Sequence, residues 1–415
     1  MDRGQRRVFA ALSVTTAFTL ITEGVVTVNL MPYAASLQVP ATGLGLVFAA
    51  HRFARLLVAP WAGLAADRVG RRPLLLLGFL CVSGSLVVLT LAGNFLSLLA
   101  ARVLYGLASA LIVTAGFASV LDISGERERG GALGMYQAAL YGVYPLGSVA
   151  GGFLTDGLGY VPTFALCAGV VLANAVLALF MLRETRHVGS VARPRAPAIR
   201  LRDYPRLLVG PVRRYMALKM LSGFAIWGVF EATFVLFLLA IFGKATTLFG
   251  VPLGTRSVAG IMLAIVLLLG FLFGSPVVGR WSDRSRQRMP LVLASLVLTA
   301  MALVGLSVAA SAETILLAVV AVGLAVALAS APLAALVGEA ASPESRAAVM
   351  AAYSTLSDLA NSAGAILGAS LALRIGYGVT YLGTAAVVVI GSCLLIGPLR
   401  SRSRALDEAE TSAPA

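Results

Sequence analysis

Histidine, cysteine and charge are all scarce in this chain, and each scarcity removes a class of function. Two histidines, His51 and His187, and three cysteines, Cys81, Cys167 and Cys393, are spread over 415 residues. The cysteines lie in separate apolar stretches, so they form neither a disulfide framework nor a metal-ligand set. No His/Cys/Asp cluster and no phosphate-binding glycine loop occurs, so nothing assembles a nucleophile, a general base or a cofactor cradle. The chain does not read as an enzyme, and no cofactor and no metal are expected. Only 12% of the residues are charged against 59% hydrophobic, with a mean hydropathy of +0.93. A water-soluble domain with so little polar surface would fail to cover its own core.

Apolar sequence in long runs is what the chain has in abundance. Twelve runs cover 8–34, 43–66, 73–92, 95–121, 131–154, 161–182, 214–241, 257–281, 289–309, 313–337, 347–372 and 379–399. Crossing a bilayer takes about 20 apolar residues in helical form. Backbone polar groups in hydrocarbon must be satisfied within their own segment, and the polar–apolar alternation of a membrane barrel is absent, so the runs read as helices. The first run follows Arg3, Arg6 and Arg7 but is too long for a signal-peptide core, and is expected to be retained. The expected fold class is an all-α membrane protein of twelve transmembrane helices in two pseudo-symmetric six-helix bundles. The bundles are placed at 1–185 and 213–400, with a cytoplasmic basic linker at 186–212 and a cytoplasmic tail at 401–415, whose short acidic end from Leu406 to Ala415 is expected to be disordered.

The formal net charge of +14 raises the question of nucleic acid, but its placement points to a lipid bilayer. With both termini and every second loop assigned to one side, that side holds 25 of the 32 basic residues; the opposite loops hold Lys244, Arg256 and Arg374. This bias places both termini in the cytoplasm of a multi-pass protein of the cell inner membrane. The densest basic stretch, from Arg183 to Arg214, lacks the interleaved aromatics of a nucleic-acid binder.

The two halves repeat each other. Pro60, Gly63, Asp67 and Arg68 recur as Pro276, Gly279, Asp283 and Arg284 at an offset of 216, and Arg129, Tyr136 and Tyr160 recur as Arg346, Tyr353 and Tyr377 at 217. Glu23 in the first run has its counterpart in Glu231, at an offset of 208. Parallel repeats in a chain this apolar suggest a transporter built around a central site.

Charges inside the runs mark where that site lies. Even on lenient scales a charge at the bilayer centre costs ~2.5–3.5 kcal/mol, so each needs a reason. Runs three, six, nine and twelve carry none well inside their ends, as expected if they face lipid while the others enclose a polar cavity. Thr16, Thr19, Glu23 and Thr27 share one helical face, and Ser354, Asp358 and Asn361 share another. Trp227 stands one turn before Glu231, and Gln137, Tyr141 and Tyr144 share a face of the fifth run. Aromatic walls with a few acids suit an amphipathic or cationic small molecule. The competing reading is a set of mutually satisfied ion pairs among these acids and Arg52, Arg55, Arg102 and Lys219. Arg55 and Glu23, at similar depth on consecutive helices, are one such expected pair. Lys219 is explained by snorkelling, and His51 by polar packing.

At G-L-A-A-D-R-V-G-R-R, residues 63–72, the chain resembles the major facilitator superfamily, whose signature loop between helices 2 and 3 reads G-x-L-a-D-r-x-G-r-[KR]. Gly63, Asp67, Arg68, Gly70, Arg71 and Arg72 match, and Ala65 replaces the usual Leu. The resemblance implies that Asp67 reaches the positive N-terminal end of a helix in the other half, here opened by Ser342 and Pro343, when the cytoplasmic side closes. Arg102-x-x-x-Gly106 is similar to the motif of proton-coupled members, in which a buried arginine tunes a carboxylate such as Glu23. The fifth run carries Gly147 to Gly152 where drug–proton antiporters have G-P-x-x-G-G; the proline is missing, and Pro145 stands nearby as a source of a kink. Met31 to Leu37, M-P-Y-A-A-S-L, resembles the drug-efflux branch with twelve helices.

The resemblance implies a proton-coupled transporter working by alternating access as a monomer, without nucleic acid, powered by the proton gradient and exporting small amphipathic or cationic compounds, as in multidrug resistance. The alternative within transport is a proton-coupled importer or an organic-anion carrier using Arg52, Arg55 and Arg102. An intramembrane sensor or enzyme is the reading from another class, and neither an output domain nor a catalytic cluster is evident for it.

Overall fold

The computed structural model describes residues 3–125, 128–185, 208–285, 287–342 and 345–411, and nearly all of them are helical. In the first half α1 (Arg3–Ser36), α2 (Ala41–Val69), α3 (Arg71–Thr90) and α4 (Phe95–Ile123) precede α5, which has two pieces, Arg129–Gly142 and Tyr144–Leu158, and α6 (Tyr160–Met181). In the second half α7 runs from Gly210–Gly223 through a π-helical stretch, Phe224–Phe230, into Glu231–Phe242. A small antiparallel hairpin, β1 (Ala245–Leu248) and β2 (Val251–Gly254), leads to α8, which is also interrupted: Thr255–Leu267, π-helical Leu268–Gly274, and Ser275–Ser285. The helices α9 (Arg288–Val308), α10 (Ala312–Ala340), α11 (Arg346–Ile375) and α12 (Tyr377–Thr411) complete it.

Among the described residues, eleven helices are long and apolar enough to cross a membrane. The twelfth expected span, 131–154, is α5, interrupted at Val143. Pro145 has no N–H to offer the Tyr141 carbonyl, and its ring crowds that carbonyl. The Leu146 N–H tightens onto Val143 O at 3.1 Å, three residues back, and the regular helical bond resumes with Gly147 on the same carbonyl at 3.3 Å.

Most of the expected linker, 186–212, lies outside the described residues, and its last positions already belong to α7, which opens at Gly210 with Pro211 in its first turn. The expected tail also differs, because α12 continues to Thr411 through a stretch rich in the helix formers Ala, Leu, Arg and Glu. The described part of α11 starts at Arg346, and Ser342 Oγ accepts the Ser345 N–H at 3.3 Å, the contact an N-cap side chain makes three residues on. Pro343 lies outside the described residues.

Each half has its own apolar core, one around Phe79, Leu98, Tyr136 and Phe164, the other around Phe230, Phe234, Leu296 and Val319. The helices without interior charges, α3, α6, α9 and α12, pack mainly within their own halves, while α2 meets α11 and α5 meets α8 across the divide. These cross-half contacts are backbone-close. A Cβ on Gly45 would stand 2.6 Å from Ala365 O, and one on Gly152 would stand 2.7 Å from the Ser257 Cα. Both lie toward the end of the bundle that carries the α1–α2, α7–α8 and α11–α12 turns. The halves are therefore sealed at the end opposite the basic loops.

Candidate functional site

Three ion pairs occupy the middle of the bundle, from the deeply buried Glu23–Arg102 to the partly exposed Arg55–Asp358. Glu23 of α1 receives Arg102 of α4 through two prongs, Nη2 to Oε1 at 3.1 Å and Nη1 to Oε2 at 3.3 Å. The Arg102 side chain is only 2% exposed, and its Nη2 also lies 2.8 Å from His51 Nδ1 on α2. The guanidinium has only N–H donors, so in that contact His51 Nδ1 accepts. The backbone of α4 comes close enough for this because Gly106 packs directly on His51 and Ala54.

The other two pairs cross between the halves. Arg52 of α2 donates to Glu231 Oε2 of α7 at 2.8 Å, and Arg55, one turn on, donates to Asp358 Oδ2 of α11 at 2.6 Å. The expected pair of Arg55 with Glu23 is thus corrected. Similar depth places two residues at one level of the membrane, but the rotation of each helix decides what it faces.

The π-helical stretch of α7 shapes the Arg52 site. The Glu231 N–H reaches back to the carbonyls of Ile226 and Gly228, bypassing Trp227 O, which accepts from Arg52 Nη1 at 3.2 Å. Gly228 of this stretch lies against Gly364 of α11, where an added Cβ would come within 2.6 Å of the Gly364 Cα. Beside Glu231 lies a small cavity of about 10 Å³, roughly the room of one water molecule, lined by Trp227, Phe230, Tyr144 and Thr27, among others. Trp227 stacks on Phe271 with ring centres 5.5 Å apart, and Tyr144 shares a 2.5 Å hydrogen bond with Thr27.

Other expected lining residues are placed differently. Tyr141 is about half exposed on the first piece of α5. The Asn361 amide end faces two carbonyls, Gly223 O and Ser357 O, so its nitrogen is assigned to that side, where it donates at 3.1 and 3.0 Å and ties α11 to α7. Thr16 and Thr19 bond back to carbonyls of α1 itself, at 2.6 and 3.2 Å, and Thr19 also accepts from Asn174 of α6 at 3.3 Å, while Glu23 and Thr27 reach α4 and α5. Lys219 sets its ammonium 5.5 Å from the Tyr353 ring centre. Among the described residues no group of His, Cys, Asp and Glu comes together to hold a metal.

The repeated loops share a geometry. Arg71 joins Asp67 (3.3 Å) to Asp122 at the end of α4 (2.9 Å). Arg288 joins Asp283 (2.9 Å) to Glu339 at the end of α10. Arg288 and Glu339 stand 217 positions after Arg71 and Asp122, two members of the repeat that sequence comparison missed. Gly70, at φ +114°, lies against the Glu184 carboxylate, which accepts the N–H groups of Arg71 and Arg72 at 3.0 and 3.1 Å. Gly63 leaves ordinary van der Waals room to Thr114. Arg68 and Arg284 are exposed.

Sequence reasoning also missed a clasp at the sealed end. Asp156, near the end of α5, accepts the Ser257 N–H at 2.8 Å, the Ser257 hydroxyl at 2.7 Å and Arg256 Nη1 at 3.1 Å. Arg256 also donates to the Tyr160 hydroxyl at 3.0 Å and covers that ring at 4.8 Å. The N-cap of α8 is Gly254, which has no side chain, and a Cβ there would run into the Asp156 carboxylate. A residue of the first half therefore caps a helix of the second. The sequence signal was faint: an acid and a base at the ends of apolar runs read as solvated charges.

Two pseudo-symmetric helical bundles, sealed at one end and holding paired charges at their interface, define a polytopic membrane transporter. The family model for the Major Facilitator Superfamily matches residues 12–255 and 233–415, and the chain belongs to that superfamily. It is 33% identical over 142 residues to multidrug resistance protein 2 of Bacillus subtilis (strain 168), covering 34% of this chain and 35% of that protein. It is 36% identical over 141 residues to probable vesicular acetylcholine transporter-B of Danio rerio, covering 34% and 29%. The chain thus spans about a third of these relatives' length. Its fold is similar to that of a bacterial homolog of the human lysosomal transporter Spinster, solved in an inward-facing and occupied conformation, with a TM-score of 0.78, 16% identity and coverage of 96% and 98%.

Proposed function

We propose that this chain is a proton-coupled exporter of small amphipathic or cationic compounds, working by alternating access in the cell inner membrane with both termini cytoplasmic. The observation that carries the reading is Glu231, a buried carboxylate at the junction of the two halves that lines a cavity walled by Trp227, Phe230 and Tyr144. An acid beside aromatic faces is the chemistry that holds an amphipathic cation. The relatives' names support the same class, one for multidrug resistance and one for acetylcholine, itself a cation. Glu23, gripped by Arg102, is the proton carrier in this reading, because a carboxylate that loses and regains its arginine alternates between two protonation states.

The test is transport in inverted vesicles under an imposed pH gradient. Addition of a lipophilic cation should release protons through the wild-type chain. Glu23→Gln should abolish that coupled movement and Glu23→Asp should keep part of it. Full gradient-driven transport by the Gln variant would remove Glu23 from the mechanism.

One observation favours the alternative of an organic-anion carrier. Four bases in the membrane interior, Arg52, Arg55, Arg102 and Lys219, face three acids, Glu23, Glu231 and Asp358, and the Arg55 side chain is 33% exposed. Under that reading Arg55→Gln abolishes anion binding while cation binding is untouched.

A further inference from the structure

Arg52 sits where the reading above places a cargo cation. Its guanidinium donates to Glu231 Oε2 at 2.8 Å and to Trp227 O at 3.2 Å, and stands 5.3 Å from the centre of the Phe48 ring. A carboxylate, a backbone carbonyl bypassed by the π-helical turn and an aromatic face together make a complete cation site. Such a set would take an alkylammonium or a guanidinium ion from any source. Here it is filled by a side chain of α2, the helix that also supplies Phe48, while Glu231 and Trp227 come from the opposite half. The small cavity beside Glu231 is walled by Trp227 and Phe230, so the apolar part of a cargo that enlarged it would lie against those rings, beside the charge that Arg52 now supplies.

We infer that Arg52 is a tethered occupant of the cation site, and that a cargo cation reaches Glu231 only by displacing it. The inference rests on the reading of this chain as a carrier of cationic compounds, and it adds a source of selectivity. A small hydrophilic cation gains little beyond what Arg52 already makes and is held off. A cation with aromatic or bulky apolar groups also buries surface against Trp227 and Phe230, and that burial tips the exchange in its favour. Displacement has a structural consequence too. Arg52 and Glu231 lie on different halves, so cargo binding removes one tie between them at the moment the site fills.

The experiment measures binding of tetraphenylphosphonium, and of tetraphenylborate as its anion of matched size, to the purified full chain. Apparent affinity is the intrinsic affinity reduced by the fraction of sites left vacant, so an arginine in place about nine-tenths of the time weakens cargo about tenfold. Arg52→Ala should therefore bind tetraphenylphosphonium about tenfold more tightly than the wild type. Millimolar guanidinium chloride, about the range expected for so small an ion, should compete with the phosphonium in Arg52→Ala and not in the wild type. Arg52→Lys, which keeps a weaker tethered cation, should fall between them.

Where Arg52→Ala fails to fold because Glu231 is left unpaired, Arg52→Gln gives the same comparison with a neutral side chain that still fills the space. Unchanged or weaker phosphonium binding in a folded, neutralised variant would overturn the inference. So would loss of tetraphenylborate binding confined to the Arg52 variants, which would make Arg52 an anion receptor. Glu231→Gln separates this outcome from failure of the underlying reading. Undiminished phosphonium binding there sinks the cation-export proposal itself, whereas reduced binding there with no gain in Arg52→Ala sinks only the tethered-occupant inference.

Discussion

Glu23 and Arg102 belong to α1 and α4 of one half, whereas Arg52–Glu231 and Arg55–Asp358 tie α2 to α7 and α11 of the other. When two bundles rock as rigid bodies, a pair inside one bundle moves unchanged, while a pair between bundles is strained or remade. Burial separates one of the cross-half pairs from the other two, since Arg52 and Glu231 are each only 10% exposed. The Glu23–Arg102 side chains are 9% and 2% exposed, while those of Asp358 and Arg55 are 22% and 33%. The Glu23–Arg102 pair would open only through a local event such as proton transfer, whereas the others respond to which state the molecule occupies.

The largest expected effect tests how far stability depends on the inner pair. Arg102→Leu leaves Glu23 buried without its partner, a change that typically costs ~3–5 kcal/mol. Removing both charges with Glu23→Leu should restore most of that stability. Arg55→Leu should lose clearly less, because Asp358 regains water. Thermal unfolding in detergent orders the three variants, and equal losses for Arg102→Leu and Arg55→Leu would erase the distinction between the pairs.

The next effect in size compares the two ends of the bundle. Asp156→Ala removes the acceptor for Ser257 and Arg256, and hydrogen bonds to charged groups contribute ~1.5–3 kcal/mol each. Opening at that end should rise about tenfold or more, since each ~1.4 kcal/mol is a factor of ten. Spin labels on the α1–α2 and α11–α12 turns would read it as a longer-distance population. An unchanged distance distribution would reduce the clasp to decoration.

The smallest effects lie in the repeated loops. Asp67 is 47% exposed and Asp283 is 69% exposed, so their arginine contacts are largely screened. Exposed pairs are worth ~0.2–1 kcal/mol, which limits Asp67→Asn to a shift of about twofold to fivefold in the conformational ratio. Asp283→Asn should shift it less. Labels across the α2–α3 and α8–α9 loops compare the two, and a larger effect from Asp283→Asn would reverse the ranking.

The helices were legible in the sequence because bilayer crossing imposes a length and polarity that no other context demands. The repeat was legible for the same reason that Asp67 and Asp283 share a geometry: each half solves one packing problem. Partners were harder to read. Arg55 was matched to Glu23 by depth alone, and depth leaves rotation about the helix axis open. Arg288 and Glu339 were overlooked because the second loop lacks the Gly-Arg-Arg run that makes Arg71 conspicuous. The π-helical turns left no signature, since an extra residue in a turn is stabilised by what packs on it, here Gly364 against Gly228. Arg256 was counted only as one of three positive charges on the sparse side.

Gly254 begins α8 with no side chain of its own, and the carboxylate of Asp156 stands in from across the divide. The first turn of α8 is therefore finished only while the two halves touch at that end. Whenever they part, the Ser257 amide turns to water, and its hydrogen becomes free to exchange with solvent. In heavy water that single amide would act as a turnstile counter, losing its proton at the frequency with which the sealed end opens. Cargo, pH or a variant that changes the frequency would be legible there, one exchange event at a time, with no label attached.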